Sequence, residues 1–452
     1  MRIRSRRTAL LVSFVLANTA CSSSDDAGAG AGGAGNSGGN GASGGAAGGG
    51  NAAGASGHAG AAGNAGFAGF GGGGAGSPGS GGTAGGGGGG GGGTGGWAGG
   101  TTGKVLVDDP TAARTWPAAH GDALISLWHD DAIAALTITI DDNTAPDHTW
   151  WLQQAQAYGL KLTWFVITNH IPSSFGGTWP GFASLVAAGH DVQSHTVSHL
   201  NDGLTLDDEY KLSQQDIEKN LPNVKAVTLA YPGGNHPISN DPKVAAKYYL
   251  GARSGIGHNN KIGATDYMMV NSISGQLNLA TDHWAGLPNI VVKNPAQAKS
   301  FRAWHCVHYH LMQDKTNALA GFQWIAAHKN DLWVGLFRET VLYGRERESA
   351  TLSVPHVSAD KVVVEANDTL PDSSFDFPLT VKIGLDATWM GATASQNGNA
   401  VAVKIVQHSG KPFALVTAVP DRGPGIVSRK GGPLRTARPT FALAHLGHPR
   451  II

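Results

Sequence analysis

The chain has 452 residues with 32 basic and 32 acidic side chains, a formal charge of zero, and 68 unevenly spread glycines. Residues 27–103 hold 41 of those glycines and not one Asp, Glu, Lys or Arg, so the rest of the chain has an ordinary globular glycine content. A wholly fibrous or disordered protein is thereby excluded, and so is a multi-span membrane protein, because no stretch after residue 20 reaches the ~18 apolar residues of a span. Setting aside Arg2, Arg4, Arg6 and Arg7 leaves 28 basic against 32 acidic side chains, which is no electrostatic footprint for a nucleic-acid backbone.

Those four arginines precede the apolar run Ala9 to Ala17, and Cys21 follows Ala20. A basic start, a short apolar core and a small residue at the cut read as a secretory signal over residues 1–20. Cys21 at the cut, followed by Ser22, Ser23 and Ser24, resembles a bacterial lipoprotein signal, although Asn18 stands where such signals usually carry leucine. The expectation is an exported protein, either secreted or held at the outer membrane or cell surface by a lipid on Cys21. Cys306 is the other cysteine; pairing it with the signal region is implausible, so it is expected as a buried free thiol. Residues 21–103 are read as the lipidated end followed by a flexible linker with almost nothing to bury, whose reach is roughly 50 Å at about 5–6 Å per square root of residue count.

From Lys104 the composition changes and strand-like and helix-like segments alternate. Residues 134–140 form a β-branched run ending in Asp141-Asp142. Residues 147–158 carry a helix face on Trp151, Ala155 and Tyr158, stopped by Gly159. Leu162 to Thr168 is the next strand, Phe182 to Ala188 a helix ended by Gly189, and His190 to His195 a short strand. Thr205, with Asp208 three residues on, caps a helix that runs to about Leu221. Ala226 to Tyr231 is a strand broken by Pro232-Gly233-Gly234, and Ala303 to His310 and Leu332 to Leu336 supply later strands. Repeated strand–helix units over residues 104–350 argue for a parallel sheet closed or nearly closed into a barrel. Over residues 351–452 the pattern becomes short β runs (361–365, 379–385, 401–407 and 413–419) without helices between them, a small all-β domain of sandwich type. The twelve tryptophans, among them Trp150, Trp151, Trp164, Trp179, Trp284 and Trp304, are read chiefly as packing residues.

The residues able to carry chemistry sit where a barrel places its active site, past the carboxyl ends of strands. They are Asp141-Asp142, His195-Thr196-Val197-Ser198-His199, Tyr231-Pro232-Gly233-Gly234, and His310 at the end of the run from Trp304. His-x-x-x-His puts two imidazoles one helical turn apart, close enough to share a cation. Adjacent carboxylates at a strand end point different ways, so one can bind metal while the other takes a proton. Two His and one Asp with an open position are the donor set of a catalytic rather than a closed structural Zn²⁺ site.

These segments together resemble the polysaccharide deacetylase, or NodB-homology, family (carbohydrate esterase family 4) over about residues 133–340. Thr139-Ile140-Asp141-Asp142 is similar to its first motif and Gly189 to His199 to its second. Leu229-Ala230-Tyr231-Pro232-Gly233-Gly234 is similar to its third, and Trp304 with His310 to its fifth. The resemblance implies a distorted (β/α) barrel followed by the β domain, and hydrolysis of acetyl groups on a sugar polymer: chitin-like, peptidoglycan or xylan. It implies that Asp142, His195 and His199 bind a divalent ion, Zn²⁺ first among candidates. Asp141 would be the general base, His310 the acid, and the Gly233 N–H the oxyanion donor, with Tyr231, Pro232 and Arg253 at the substrate. The third motif often begins with an Arg that orients the base; here Ala230 stands there, and Arg253 is the candidate replacement. The fourth motif has no visible counterpart, and His305 and His308 compete with His310. Two rival readings stay open: a surface carbohydrate-binding lipoprotein with a degenerate site, and a hydrolase of non-sugar amides or imides on the same fold.

Overall fold

A computed structural model describes residues 109, 114–234, 241–275, 287–293 and 300–430. The signal segment, Cys21, the Gly-rich linker and Trp284 lie outside the described residues. Every described residue belongs to one compact unit.

A parallel sheet organises the first part of this unit. Its path is β6 (Gly251–Arg253), β5 (Thr228–Ala230), β4 (Asp191–Ser194), β3 (Leu162–Val166), β2 (Ala134–Ile140), β8 (Trp304–Tyr309) and β7 (Ile273–Ser274), with β9 (Leu332–Val334) pairing the start of β2. Every residue of β2, β3 and β8 is buried, as expected for parallel strands covered on both faces. The outer strands curl toward each other: Ser254 N–H donates to Val270 O at 2.8 Å, and Ile273 then pairs with Val307. The sheet is therefore a distorted, incompletely closed (β/α) barrel.

Helices cover its outside. α1 (His148–Tyr158) ends at Gly159, which takes φ 68° as its C-cap; the left-handed turn there suits glycine. α2 (Trp179–Ala187) is capped by Thr178 and α3 (Leu206–Asn220) by Thr205, whose Oγ1 accepts from Asp208 N at 3.1 Å. Two short helices follow, α4 (Pro242–Ala245) and α5 (Pro288–Val291). α6 (Lys315–Ala327) and α7 (Phe337–Ser349) complete the set among the described residues. Neither of these two is evident from periodicity, because α6 is largely Ala-rich and α7 carries Arg and Glu on buried faces. No helix of the described residues is long and apolar enough to cross a membrane.

The later strands form two antiparallel sheets. One runs β10 (Thr351–Val357), β11 (Lys361–Asn367), β17 (Gly425–Arg429), β13 (Ala392–Gln396) and β14 (Asn399–Val401). The other runs β1 (Ala123–Ile125), β12 (Leu379–Gly384), β16 (Lys411–Ala418) and β15 (Val403–His408). Both contribute to one apolar cluster that includes Leu352, Val364, Val381, Val416 and Trp389, together with Phe337 and Val341 of α7. β1 thus precedes the barrel in sequence yet pairs with β12 in the register Ala123↔Ile383. Below it, the fully buried Lys382 reaches Asp131 Oδ1 at 2.7 Å. Cys306 is a free, fully buried thiol on β8.

Candidate active site

The predicted polar residues all follow carboxyl ends of neighbouring parallel strands. Asp141 and Asp142 follow β2, His195 follows β4, Tyr231 follows β5, Arg253 ends β6 and His310 follows β8. Ladder bonds continue one residue beyond the strands and fix these ends: Asp141 N donates to Tyr309 O at 2.8 Å, His195 N to Val166 O at 2.8 Å, and Tyr231 N to Arg253 O at 3.0 Å.

Asp142, His195 and His199 each offer one ligand atom, and those atoms lie within 4.8 Å of one another. His195 Nδ1 is 2.8 Å from Ala230 O, so it carries the proton and donates, leaving the Nε2 lone pair facing Asp142 Oδ1 at 3.5 Å. Burial lowers the pKa of His195 against the pull of Asp141 and Asp142, which keeps the ring neutral. Donors about 2.0–2.1 Å from a tetrahedral Zn²⁺ lie roughly 3.4 Å apart. A neutral imidazole with its second nitrogen already bonded, a second imidazole and a half-exposed carboxylate therefore fit a divalent ion with modest closure.

Unusual backbone produces this convergence. Asp142, Asn143 and Thr144 take φ of 55°, 64° and 40° in succession, and His199 takes 59°. Such residues cost of order 1 kcal/mol or more each and persist only where the surroundings over-determine them. Asn143, fully buried, supplies that constraint: its Oδ1 accepts from Ile167 N at 2.8 Å, and its Nδ2 donates to Gly176 O at 3.1 Å. Glu209 on α3 does the same for the histidine segment, accepting from Val197 N at 2.7 Å and Ser198 N at 3.0 Å and from the Ser198 hydroxyl. Residues 196–199 are not helical. The helical-turn spacing expected from His-x-x-x-His is corrected accordingly: a loop brings the two rings together, with centroids 4.9 Å apart and planes at 75°.

Asp141 is not one of this trio. Its Oδ2 accepts from the Arg253 guanidinium, which is only 2% exposed, while its buried Oδ1 has no hydrogen-bond partner. Burial alone would raise the Asp141 carboxyl, but Arg253, His195, His310 and His308 outweigh it and hold it well below the usual range. It is an ionised carboxylate with one oxygen uncommitted. His310 Nε2 stands 3.9 Å from Asp141 Oδ2 and 3.8 Å from Asp142 Oδ2, on a side chain 38% exposed. His308 is buried instead; burial first and Arg253 second push it down to about 3. Its Nδ1 lies 2.8 Å from Ser272 Oγ. That hydroxyl donates to Ser254 O at 2.6 Å and accepts from Arg253 Nη1 at 3.0 Å, so His308 Nδ1–H must be the donor to it. His305 is fully buried, with Nδ1 2.6 Å from Asn259 Oδ1.

The third segment divides. Gly233 is exposed at φ 64°, and a side chain there would meet no atom within 4 Å. The Tyr231 side chain does not serve a ligand: it is 1% exposed, packs near Tyr210 and donates from its hydroxyl to Met268 O at 2.9 Å. Its placement at the substrate is corrected to a core role, because strand alternation turns it outward from the site. Pro232 is buried as well. Arg253 likewise meets Asp141 rather than open solvent, so its substrate-binding placement gives way to that of a residue positioning the carboxylate. Asn143, Glu209 and Ser272 were not visible as site residues, since each acts through backbone or side-chain bonds from outside the recognisable segments.

The family model described as polysaccharide deacetylase matches residues 130–252. A gellan lyase from Bacillus sp is 33% identical over 338 residues, covering 68% of this chain and 13% of that relative, so the chain spans only a small part of its length. Among solved structures, a family 4 carbohydrate esterase from Streptomyces lividans in complex with acetate is similar at 18% identity and a TM-score of 0.29, over 45% of this chain and 93% of that one. A family 4 acetyl xylan esterase from Clostridium thermocellum in complex with a cobalt ion is similar at 16% identity and a TM-score of 0.30, over 45% and 89%. A polysaccharide deacetylase from Bacillus cereus is similar at 20% identity and a TM-score of 0.27, over 30% and 46%.

Proposed function

We propose that this chain, whose residues 130–252 match the polysaccharide deacetylase family model, is a metal-dependent hydrolase removing acetyl groups, N-acetyl in preference to O-acetyl, from a polysaccharide at the cell surface. The observation that carries the reading is the meeting of Asp142, His195 and His199 beside an Asp141 whose second oxygen is uncommitted. A divalent ion held by those three, Zn²⁺ by the chemistry of the set, would supply Lewis acidity toward the acetyl carbonyl and toward a water molecule.

The protein's own residues do the rest. Asp141 Oδ1 takes a proton from the attacking water, while Arg253 keeps the carboxylate ionised and aimed. The exposed Gly233 N–H donates to the carbonyl oxygen as it gains charge. His310, with Nε2 3.9 Å from Asp141 Oδ2, hands a proton to the leaving nitrogen as the C–N bond breaks, giving acetate and a free amine. An acid opposite a base suits amide cleavage, because an amine leaves poorly unless protonated. Chitin-like, peptidoglycan and xylan polymers are the substrates to try. The Arg253 contact favours an active site over a relic, since it restores the orientation that Ala230 cannot provide.

Acetate release from acetylated chito-oligosaccharide, peptidoglycan and acetylxylan by the Zn²⁺-loaded protein, with Asp141→Asn as control, tests the reading. No release from any of them by a folded, metal-loaded protein rejects it.

A further inference from the structure

A second cavity lies far from this site. It has a volume of about 420 Å³ and is lined from three distant stretches of chain: residues 114–132, 329–334 and 404–415. Ligand pockets generally measure about 300–1,000 Å³. It lies at the amino ends of the barrel strands, where residues 129–132 lead into β2 and β9 pairs with that strand's beginning. The acetyl-directed residues follow the other end of β2, seven residues on, or roughly 20 Å at about 3.3 Å per residue.

Its walls are held in place. His408 lies flat on Trp116, with ring centroids 4.4 Å apart and planes at 7°, and Lys382 Nζ stands 4.3 Å from the centre of the same indole. His129 stacks on Trp333 at 5.6 Å and 29°. The floor turn is strained: Asp130 and Asp131 take φ of 55° and 59° in succession. Backbone of this kind accumulates at binding and catalytic sites. Asp131 is neutralised from below by Lys382 at 2.7 Å and from the side by Arg114 at 3.7 Å. Lys329 and Lys404 line the cavity, are exposed, have no ionic partner among the described residues, and outnumber the exposed carboxylate of Asp130 in the same lining.

We propose that this cavity binds a carboxylate-bearing saccharide segment, with Lys329 and Lys404 meeting the carboxylate and the His408–Trp116 and His129–Trp333 stacks meeting the sugar. The imidazoles can donate to or accept from hydroxyls, and the aromatic and aliphatic wall, with Val406 and Leu415, suits the C–H faces of a pyranose. A purely phosphate-directed site would have little use for that wall. The proposal is independent of the acetyl chemistry, because the two sites sit at opposite ends of the same strands.

The test is titration calorimetry of the protein with oligogalacturonate and, in parallel, with uncharged xylo-oligosaccharide. Expected are binding of the acidic oligomer and no comparable binding of the neutral one. Affinity should weaken several-fold between low and moderate salt and fall at least tenfold in Lys329→Glu/Lys404→Glu, with an unchanged melting curve. The Asp142→Asn protein should bind as the parent does. No binding of oligogalacturonate, equal binding of the neutral oligomer, displacement by inorganic phosphate at equal concentration, or indifference to the double substitution would each overturn the proposal. Loss of acetate release alone bears on the deacetylase reading and leaves this one standing.

Discussion

Arg253 at the end of β6 donates to the carboxylate of Asp141 at the end of β2, across a barrel and 112 residues of chain. The contact joins two strands of the sheet that are not neighbours, and it binds an ionised base into a fixed direction. Arg253→Ala is expected to remove the main influence holding the Asp141 carboxyl down, leaving only His195, His310 and His308 to oppose the upward push of burial. The base form is then lost at a higher pH, so the acid limb of the kcat/KM profile moves upward. Activity at neutral pH should fall toward that of Asp141→Asn, itself lower by about 10²–10⁴-fold. Rates of acetate release from pH 4 to 9 check this; an unmoved acid limb contradicts it.

Glu209 touches no proposed ligand atom, yet it holds the backbone between His195 and His199 through two N–H groups and a hydroxyl. Glu209→Gln keeps the shape and removes the charge and part of the acceptor capacity. Zn²⁺ affinity, measured by competition with a chromogenic chelator, should drop by about 10–100-fold, as is usual for outer partners of metal sites. Equal affinity in parent and variant refutes the role.

His310→Ala removes the group opposite the base while leaving the metal donors intact. Acetate release from an N-acetylated substrate should fall about 10²-fold, and release from an activated acetyl ester, whose leaving group needs little protonation, should fall far less. Similar losses on both substrates would assign His310 a structural part instead.

Glu346 on α7 is fully buried, accepts from Phe377 N at 2.8 Å, and leaves Oε2 without a hydrogen-bond partner. Burial, reinforced by Asp368, Asp376 and Asp372, pushes its carboxyl up to about 8. The folded state therefore keeps a proton that the unfolded chain releases near the ordinary value of 4.5. Stability contributed through this group is unaffected below about 4.5 and declines as pH climbs toward 8. Glu346→Gln should match the parent in urea melts at pH 4 and exceed it at pH 8.5; a gain independent of pH would contradict the assignment.

The strand ends and their polar residues were legible because parallel strands buried on both faces must be written in continuous apolar letters, and the letters stop where the chemistry begins. Asp141 and Asp142 could be read that way after β2, whereas His195, which follows the polar Asp191–Ser194, and with it His199 and His310, were legible from spacing and motif resemblance. Two kinds of information were not local. The replacement of a missing Arg by Arg253 depends on β6 lying beside β5, a pairing that sequence hints at without fixing. Tyr231 was misplaced because a three-residue strand leaves its facing undecided, and the hydroxyl's bond to Met268 turns it away from the site. Ser272 and Asn143 act through hydrogen bonds to distant carbonyls and amides, for which no spacing rule exists. α7 stayed hidden since its buried face includes Glu346 and Arg347, which bond to Phe377 N and Leu127 O.

The pairing of Ala123–Ile125 with the strand at 379–384 gives the folded unit a clasp. A ribosome delivers one side of that clasp long before the other, so the barrel must be completed while its leading edge still waits for a neighbour. Cutting the gene near codon 350 would strand that edge and bare Ile125 and Leu127, whose burial depends on what comes later. The β sheets are consequently poor candidates for removal as a cassette, and a graft of the barrel onto another carrier has to take both ends of the fold along.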